Sequence, residues 1–286
     1  MKTTNTRWLR CFGYTLFLLL LAGMVVPGEA QIFFLNDANS LVTIDASAPA
    51  PVGMTSYQVN GIQEVRNQWF YYRIGNLGPE NPIEAIGGLT FSQSNARTLD
   101  LTYANAQYSA RIVYTLTGGA LGSGQSSLNQ SITFLNKSTS SDLSLHFYDY
   151  SDFDLDATSA GQSLQFLTTA APTLRTNKFT QTFGSSWLTT SLSSGTNFPS
   201  HVEAALYNQT LAKLLDVNPT TLNDVLGPVV GDVTGTFQWD VTLPPEASLS
   251  ISKLITMQVT LVPEPSTVGL LALGLIATIY RKCRTR

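Results

Sequence analysis

Cysteine, histidine and positive charge are all scarce in this 286-residue chain. The two cysteines, Cys11 and Cys283, lie near the two ends. Residues 31–261 contain none, so that stretch forms no internal disulfide and must rely on an apolar core, for which it is long enough. The two histidines, His146 and His201, have no metal-ligand spacing, and no His-Glu-x-x-His is present. No Gly-x-Ser-x-Gly turn occurs. Ser250-Ile-Ser-Lys253 matches Ser-x-x-Lys inside a strand pattern but lacks the companion motifs, so no catalytic residue is assigned. Charged residues make up only 12% of the chain, and the charge is uneven. Residues 31–262 hold 9 Lys and Arg against 17 Asp and Glu, a net of −8, which argues against nucleic acid as a partner.

Positive charge is densest at the two ends, which hold 7 of the 16 Lys and Arg residues. Lys2, Arg7 and Arg10 precede an apolar run from about Phe12 to Val26, followed by Pro27, Gly28 and Ala30. Basic leader, apolar stretch and small residues form a secretory signal peptide, cut by signal peptidase between Ala30 and Gln31. At the other end, Pro263-Glu264-Pro265 leads into an uninterrupted apolar run, Val268 to Tyr280, and then Arg281, Lys282, Arg284 and Arg286. At about 1.5 Å per residue the run covers about 20 Å of a hydrocarbon core about 30 Å thick. A helix begun at Pro265, with Arg281 and Lys282 snorkelling, reaches further. Residues 266–280 are therefore expected to be a transmembrane helix, its basic tail 281–286 held in the cytoplasm.

Taken together, these three parts resemble the PEP-CTERM sorting signal of Gram-negative bacteria. The resemblance covers residues 262–286. It implies recognition of Pro263, Glu264 and Pro265 by an exosortase, removal of the tail, and release or attachment of the body at the cell surface. In that family such proteins are typical of bacteria that make exopolysaccharide.

The body, residues 31–261, reads as mainly β. "QIFFL", "LVTID", "TLDLTYANAQYSARIVYTL", "SLNQSITFL", "DLSLHFYDY" and "SLQFLTT" are rich in β-branched and aromatic residues between turn formers. In "RIVYTLTGG", Ile112, Tyr114 and Leu116 share one face, and "TGGALGSGQ" turns the chain into a long hairpin. "NQWFYYRIG" suits a strand covered on both faces. Ser200 and Glu203 form a capping box that predicts a helix through "SHVEAALYNQTLAKLL", with a second helical turn in "TTLNDVL". "VTGTFQWDVTL" and "SLSISKLITMQVTL" read as a closing strand pair around Pro244-Pro245. The expected architecture is an antiparallel, jelly-roll-like β-sandwich with one or two short helices. "FYDYSDFDLDAT" and the segment around Phe237-Gln238-Trp239-Asp240 also resemble recurrent PEP-CTERM protein bodies, which carry no established activity across.

Two constellations stand out in the body. Asp149, Asp152, Asp154 and Asp156 crowd together with no Lys or Arg between Lys137 and Arg175. Asp152-x-Asp154-x-Asp156 matches the first half of an EF-hand loop, but Ala157 and Ser163 replace the Gly and Glu of the second half. Read as a strand, the segment is a solvated face with Phe153 and Leu155 inward; only a looped form would let its carboxylates share calcium. Trp69, Phe70, Tyr71, Tyr72, Tyr148 and Tyr150 read as sandwich core, with a sugar-stacking platform as the alternative.

The expected function is that of a non-enzymatic, surface-sorted protein, structural or associated with an exopolysaccharide or biofilm matrix. Its partners are signal peptidase, exosortase, the membrane and extracellular polysaccharide. A surface carbohydrate-binding module and a secreted hydrolase are the alternatives. The signal-peptide reading predicts a mature chain that starts at Gln31; the intact mass of the exported form checks it, and a retained Met1 leader refutes it.

Overall fold

A computed structural model describes residues 31–47, 53–168, 175–193 and 197–260. The signal peptide, Ala30, the Pro-Glu-Pro motif, the apolar run and the basic tail lie outside them. Among the described residues no helix is long and apolar enough to cross a membrane. The described body is mainly β. In chain order it forms β1 (Ile32–Asp37), β2 (Ser40–Asp45), β3 (Gly53–Val59), β4 (Ile62–Gln63), β5 (Asn67–Ile74), β6 (Asn81–Pro82), β7 (Thr90–Asn95), β8 (Thr98–Ala104), β9 (Tyr108–Gly118) and β10 (Gln125–Asn136). There follow β11 (Leu143–Asp152), β12 (Gln162–Thr168), β13 (Thr176–Phe183), β14 (Ser186–Leu192), β15 (His201–Leu206), helix α1 (Gln209–Leu214), β16 (Val229–Gly231), β17 (Val233–Leu243) and β18 (Ser248–Gln258).

These strands make two antiparallel sheets, and neither closes into a barrel. The first runs β1-β2-β3-β5-β11-β17-β15, with β4 on β3 and β6 on β5. The second runs β16-β12-β13-β14-β18-β10-β9-β8-β7. Alternation builds the outer strands of the sandwich. In β9, Ile112, Tyr114 and Leu116 are buried while Arg111, Thr115 and Thr117 are exposed. The β9–β10 turn depends on Gly124, whose φ of +70° suits glycine and whose missing side chain lets the Val259 carbonyl approach; a Cβ there would stand 2.2 Å from that oxygen.

The central strands lack alternation because both their faces are covered. Gln68 through Arg73 of β5 are all buried, as are Phe147 through Asp152 of β11. Inward, Phe70 stacks on Phe147 at 5.8 Å, and Phe147 meets Phe134 of the second sheet at 6.3 Å and Trp239 at 5.9 Å. Outward, connecting segments lie over the sheet. Tyr148 donates to the Thr220 carbonyl at 2.7 Å, and buried Glu80 accepts from Arg73 Nε and from Thr220 N–H, each at 2.9 Å. The aromatics of β5 and β11 are thus core, as the strand pattern implies, and they form no exposed platform.

Three expectations are corrected. The helix expected from Ser200 begins only at Gln209; His201–Leu206 is β15, paired along its length with β17. Ser200 Oγ accepts from Asp240 N–H instead of capping a helix, and Glu203 binds Lys213. The ladder offered by β17 and the burial of Val202, Ala204 and Ala205 outweigh local helical propensity. Residues 220–226 hold no helix; Asp224 adopts φ +57° and Glu203 makes a bridge to Val225. Finally, β17 and β18 are not partners. Pro244-Pro245 carries the chain from the first sheet to the middle of the second, where β18 pairs with β10 and β14.

One polar cluster crosses the sandwich interior. Lys253 of β18, wholly buried, meets Asp149 of β11 at 2.6 Å. Gln68 donates to Asp149 and accepts from Gln130, both at 2.8 Å. Ser250 is exposed on the opposite face of β18, so the Ser-x-x-Lys pattern places no hydroxyl beside this amine. Burial lowers the Lys253 pKa, and the Asp149 carboxylate works against that fall. Removing one partner strands a buried charge, so Lys253→Ala should cost about 3–5 kcal/mol in urea unfolding, whereas the paired change Asp149→Leu with Lys253→Met should recover much of it.

Candidate acidic cleft

The sequence placed four aspartates on one segment; the fold divides them among three tasks. Asp149 is the interior partner of Lys253. Asp156, in the short 3-10 turn Leu155–Ala157, accepts from Ser186 Oγ at 2.7 and 2.9 Å. Asp152 and Asp154 join a third carboxylate from far along the chain, Asp232, between β16 and β17. One oxygen from each of the three lies within 4.8 Å of the others. The picture of a solvated strand face therefore gives way: Asp149 and Asp152 are each 1% exposed. Phe153 and Leu155 do point inward, as the strand pattern required.

Backbone pairing builds this convergence. The segment after β4 runs beside the end of β11, with Arg66 N–H donating to the Asp152 carbonyl at 2.9 Å and Asp154 N–H to the Glu64 carbonyl at 3.1 Å. Tyr207 N–H donates to the Asp232 carbonyl at 2.7 Å, which fixes the third acid beside the Tyr207 ring. Arg66, Asp152, Asp154, Ser159, Tyr207 and Asp232 line a cleft of about 300 Å³. A second cleft of about 420 Å³ shares Arg66, Asp152 and Tyr207 and continues past Tyr71, Glu84, Leu211 and Leu215. The result is one groove, acidic at one end and aromatic and aliphatic at the other.

The electrostatics follow from burial and like charge. Burial, reinforced by Asp154 and Asp232, pushes Asp152 up to about 7, with Arg66 opposing. Asp154 is raised by burial and by Asp232, and Asp232 by burial. Hard oxygen donors of this kind suit a cation such as calcium.

A second cluster lies at the β11–β17–β15 ladder. His146 Nδ1 meets Asp240 at 2.6 Å, His201 Nε2 meets it at 3.5 Å, and His201 Nδ1 meets Asp224 at 2.8 Å. Burial would raise Asp240, yet hydrogen bonds from His146 and Gln238 hold it below its ordinary value. The partners of both rings are carboxylates and the Asn76 amide oxygen, an arrangement that orders three strands and presents no nucleophile. Sequence reasoning missed Asp232 and Glu64, because isolated acids in "GDVTG" and "IQEVR" carry no local signal.

The comparisons with known proteins bear on the tail and on the fold. Residues 261–284 match the family described as the PEP-CTERM protein-sorting motif. The chain carries a PEP-CTERM sorting signal. That signal marks an exported protein that is sorted to the cell surface, with processing by an exosortase in general. No curated protein matches the chain. Among solved structures, a bacterial glucoamylase complexed with acarbose is similar over 91% of this chain and 37% of its own, with a TM-score of 0.52 and 9% identity. The PEP-CTERM chain thus spans little more than a third of that structure's length, and the likeness concerns the fold alone.

Glu64 gives the pH test of this region. It is fully buried and accepts the Asp156 N–H at 2.8 Å. Burial pushes it up to about 8 against the pull of that N–H, and the Asp156 charge adds to the rise. A raised carboxyl pKa means that the folded chain holds a proton the unfolded chain releases. The stability Glu64 contributes is full below its unfolded value of about 4.3 and is lost as pH rises toward about 8. Glu64→Gln keeps an acceptor for Asp156 N–H without the titration. Its stability relative to wild type should increase steadily from pH about 5 to about 8 in chemical denaturation, and parallel profiles would show that Glu64 is ionised throughout.

Proposed function

We propose that this PEP-CTERM protein is a non-enzymatic component of the cell surface or exopolysaccharide matrix of a Gram-negative bacterium. In this reading signal peptidase frees Gln31, and the apolar run Val268–Tyr280 holds the precursor in the inner membrane. Pro263-Glu264-Pro265 is then the element an exosortase reads. The observation that carries the proposal is the sorting match at residues 261–284, which directly follows the last strand of the sandwich. The body is consistent with a scaffold: its two nine-stranded sheets bury most of their aromatic residues in a shared core.

The groove favours a second reading, a module that binds polysaccharide. Tyr207, exposed beside the acids, offers a ring face, and the acids offer acceptors for sugar hydroxyls. Hydrolysis is less well served. The three acids converge on one point, whereas glycosidases place two carboxyl groups on either side of the scissile bond. Glycan retention by the purified protein, lost in Tyr207→Ala, would favour the binding module over the plain scaffold.

The sorting mechanism has its own test. The apolar run needs only length and hydrophobicity, so Leu271→Ile should be processed normally. The motif needs identity, because its prolines fix φ and withhold donors beside Glu264. Glu264→Ala should therefore leave an uncleaved, membrane-retained precursor in a host with an exosortase, while deletion of residues 262–286 should release the body unsorted. Fractionation with mass measurement decides; wild-type processing of Glu264→Ala would reduce the tail to a plain anchor.

A further inference from the structure

We propose that Asp152, Asp154 and Asp232 bind one hard divalent cation of the calcium class at the acidic end of the groove. Three observations converge on it. The first is geometry. Two oxygens that each stand about 2.4 Å from one ion lie at most about 4.8 Å apart, and one oxygen of each carboxylate falls within 4.8 Å of the other two. The second is an orphaned atom. Asp152, which lines the cleft, is 1% exposed, and its Oδ1 is buried without any hydrogen-bond donor; Asp154 Oδ1 is likewise buried without a donor. A buried carboxylate oxygen left without a donor carries a large desolvation cost, which a cation removes. The third is charge. Arg66 lines the cleft and offsets part of the repulsion through space, but it makes no salt bridge to any of the three, so three carboxylates share one cationic side chain without direct contact.

The donor set selects the metal. It is all oxygen, with no histidine or thiol in the cleft, which suits calcium better than zinc or copper. The Ser159 side chain and water can complete a shell of six to eight oxygens. This site differs from the one the sequence suggested, since Asp149 and Asp156 are committed to Lys253 and Ser186. It also has a mechanical sense. The ion would join the end of β11 to the β16–β17 junction and so fix Tyr207 against the groove.

The test uses the full-length protein with calcium chloride against EDTA, ionic strength matched with sodium chloride. At a hundredfold excess over Kd, calcium should raise Tm by about 5–10 °C. Equilibrium dialysis should count one calcium per chain. Asp232→Asn and Asp154→Asn should lose both the rise and the bound ion, yet in EDTA they should melt at or above the wild-type temperature, because a repelling charge is gone. Asp156→Asn should keep the calcium response. Absence of both bound calcium and a Tm rise in the wild type would overturn the proposal. So would retention of both in Asp232→Asn with their loss in Asp156→Asn, which would return the site to the 149–156 segment.

Discussion

The ion pair between Asp149 and Lys253 is the constraint around which the sandwich is arranged. It sits where two aromatic-lined sheets meet, one charge on each, in a space without water-facing atoms. Hydrophobic burial is non-directional and would tolerate several offsets of one sheet over the other. A buried charge tolerates far fewer, since an unpaired ammonium or carboxylate in that interior is strongly unfavourable. Gln68 and Gln130 extend the same demand to β5 and β10, so four strands must be in register before the interior is satisfied. The pair thereby converts a greasy interface into a specific one.

The groove is the counterpart of that closed interior. β11 delivers one aspartate to the core and then, three residues on, another to the cleft, because successive side chains alternate and the strand gives way to a 3-10 turn. Compensation by a lysine is available at the first position and absent at the second. The His146–Asp240–His201 cluster shows the ordinary solution at a half-exposed site, where imidazoles and an amide share the charge. The raised carboxyl groups of the cleft reflect burial first and like charge second, a condition that ligand-binding sites share and that a scaffold alone does not need.

Much of the fold is legible in the sequence wherever one residue's neighbours decide its state. The β9–β10 hairpin follows from alternation and a glycine-rich turn, and β5 from an unbroken apolar-aromatic run. Legibility fails where distant partners decide. Ser200-x-x-Glu203 has the local chemistry of a helix start, but β17 offers His201–Leu206 a ladder and Lys213 offers Glu203 a counter-ion. Asp152 and Asp232 are separated by five strands and a helix, and nothing in either neighbourhood announces the other. The tail is the opposite case: its motif, apolar run and basic end form a contiguous signal that an enzyme reads as a linear string, so its recognition from sequence needs no fold at all.

The position of β18 has a consequence for how the body meets the membrane. The strand nearest the sorting tail is not at a sheet edge; it is wedged between β10 and β14. A polypeptide that leaves the cell amino end first would carry β10 and β14 outside long before the strand that joins them. The second sheet would then wait as two halves, and the interior would stay without its lysine until the final segment emerged. Once it closes, tension on the tail acts along a central strand. Such a load must shear two hydrogen-bonded ladders at once, where an edge strand would unzip bond by bond. A body tethered by this end is held by a strand paired on both sides.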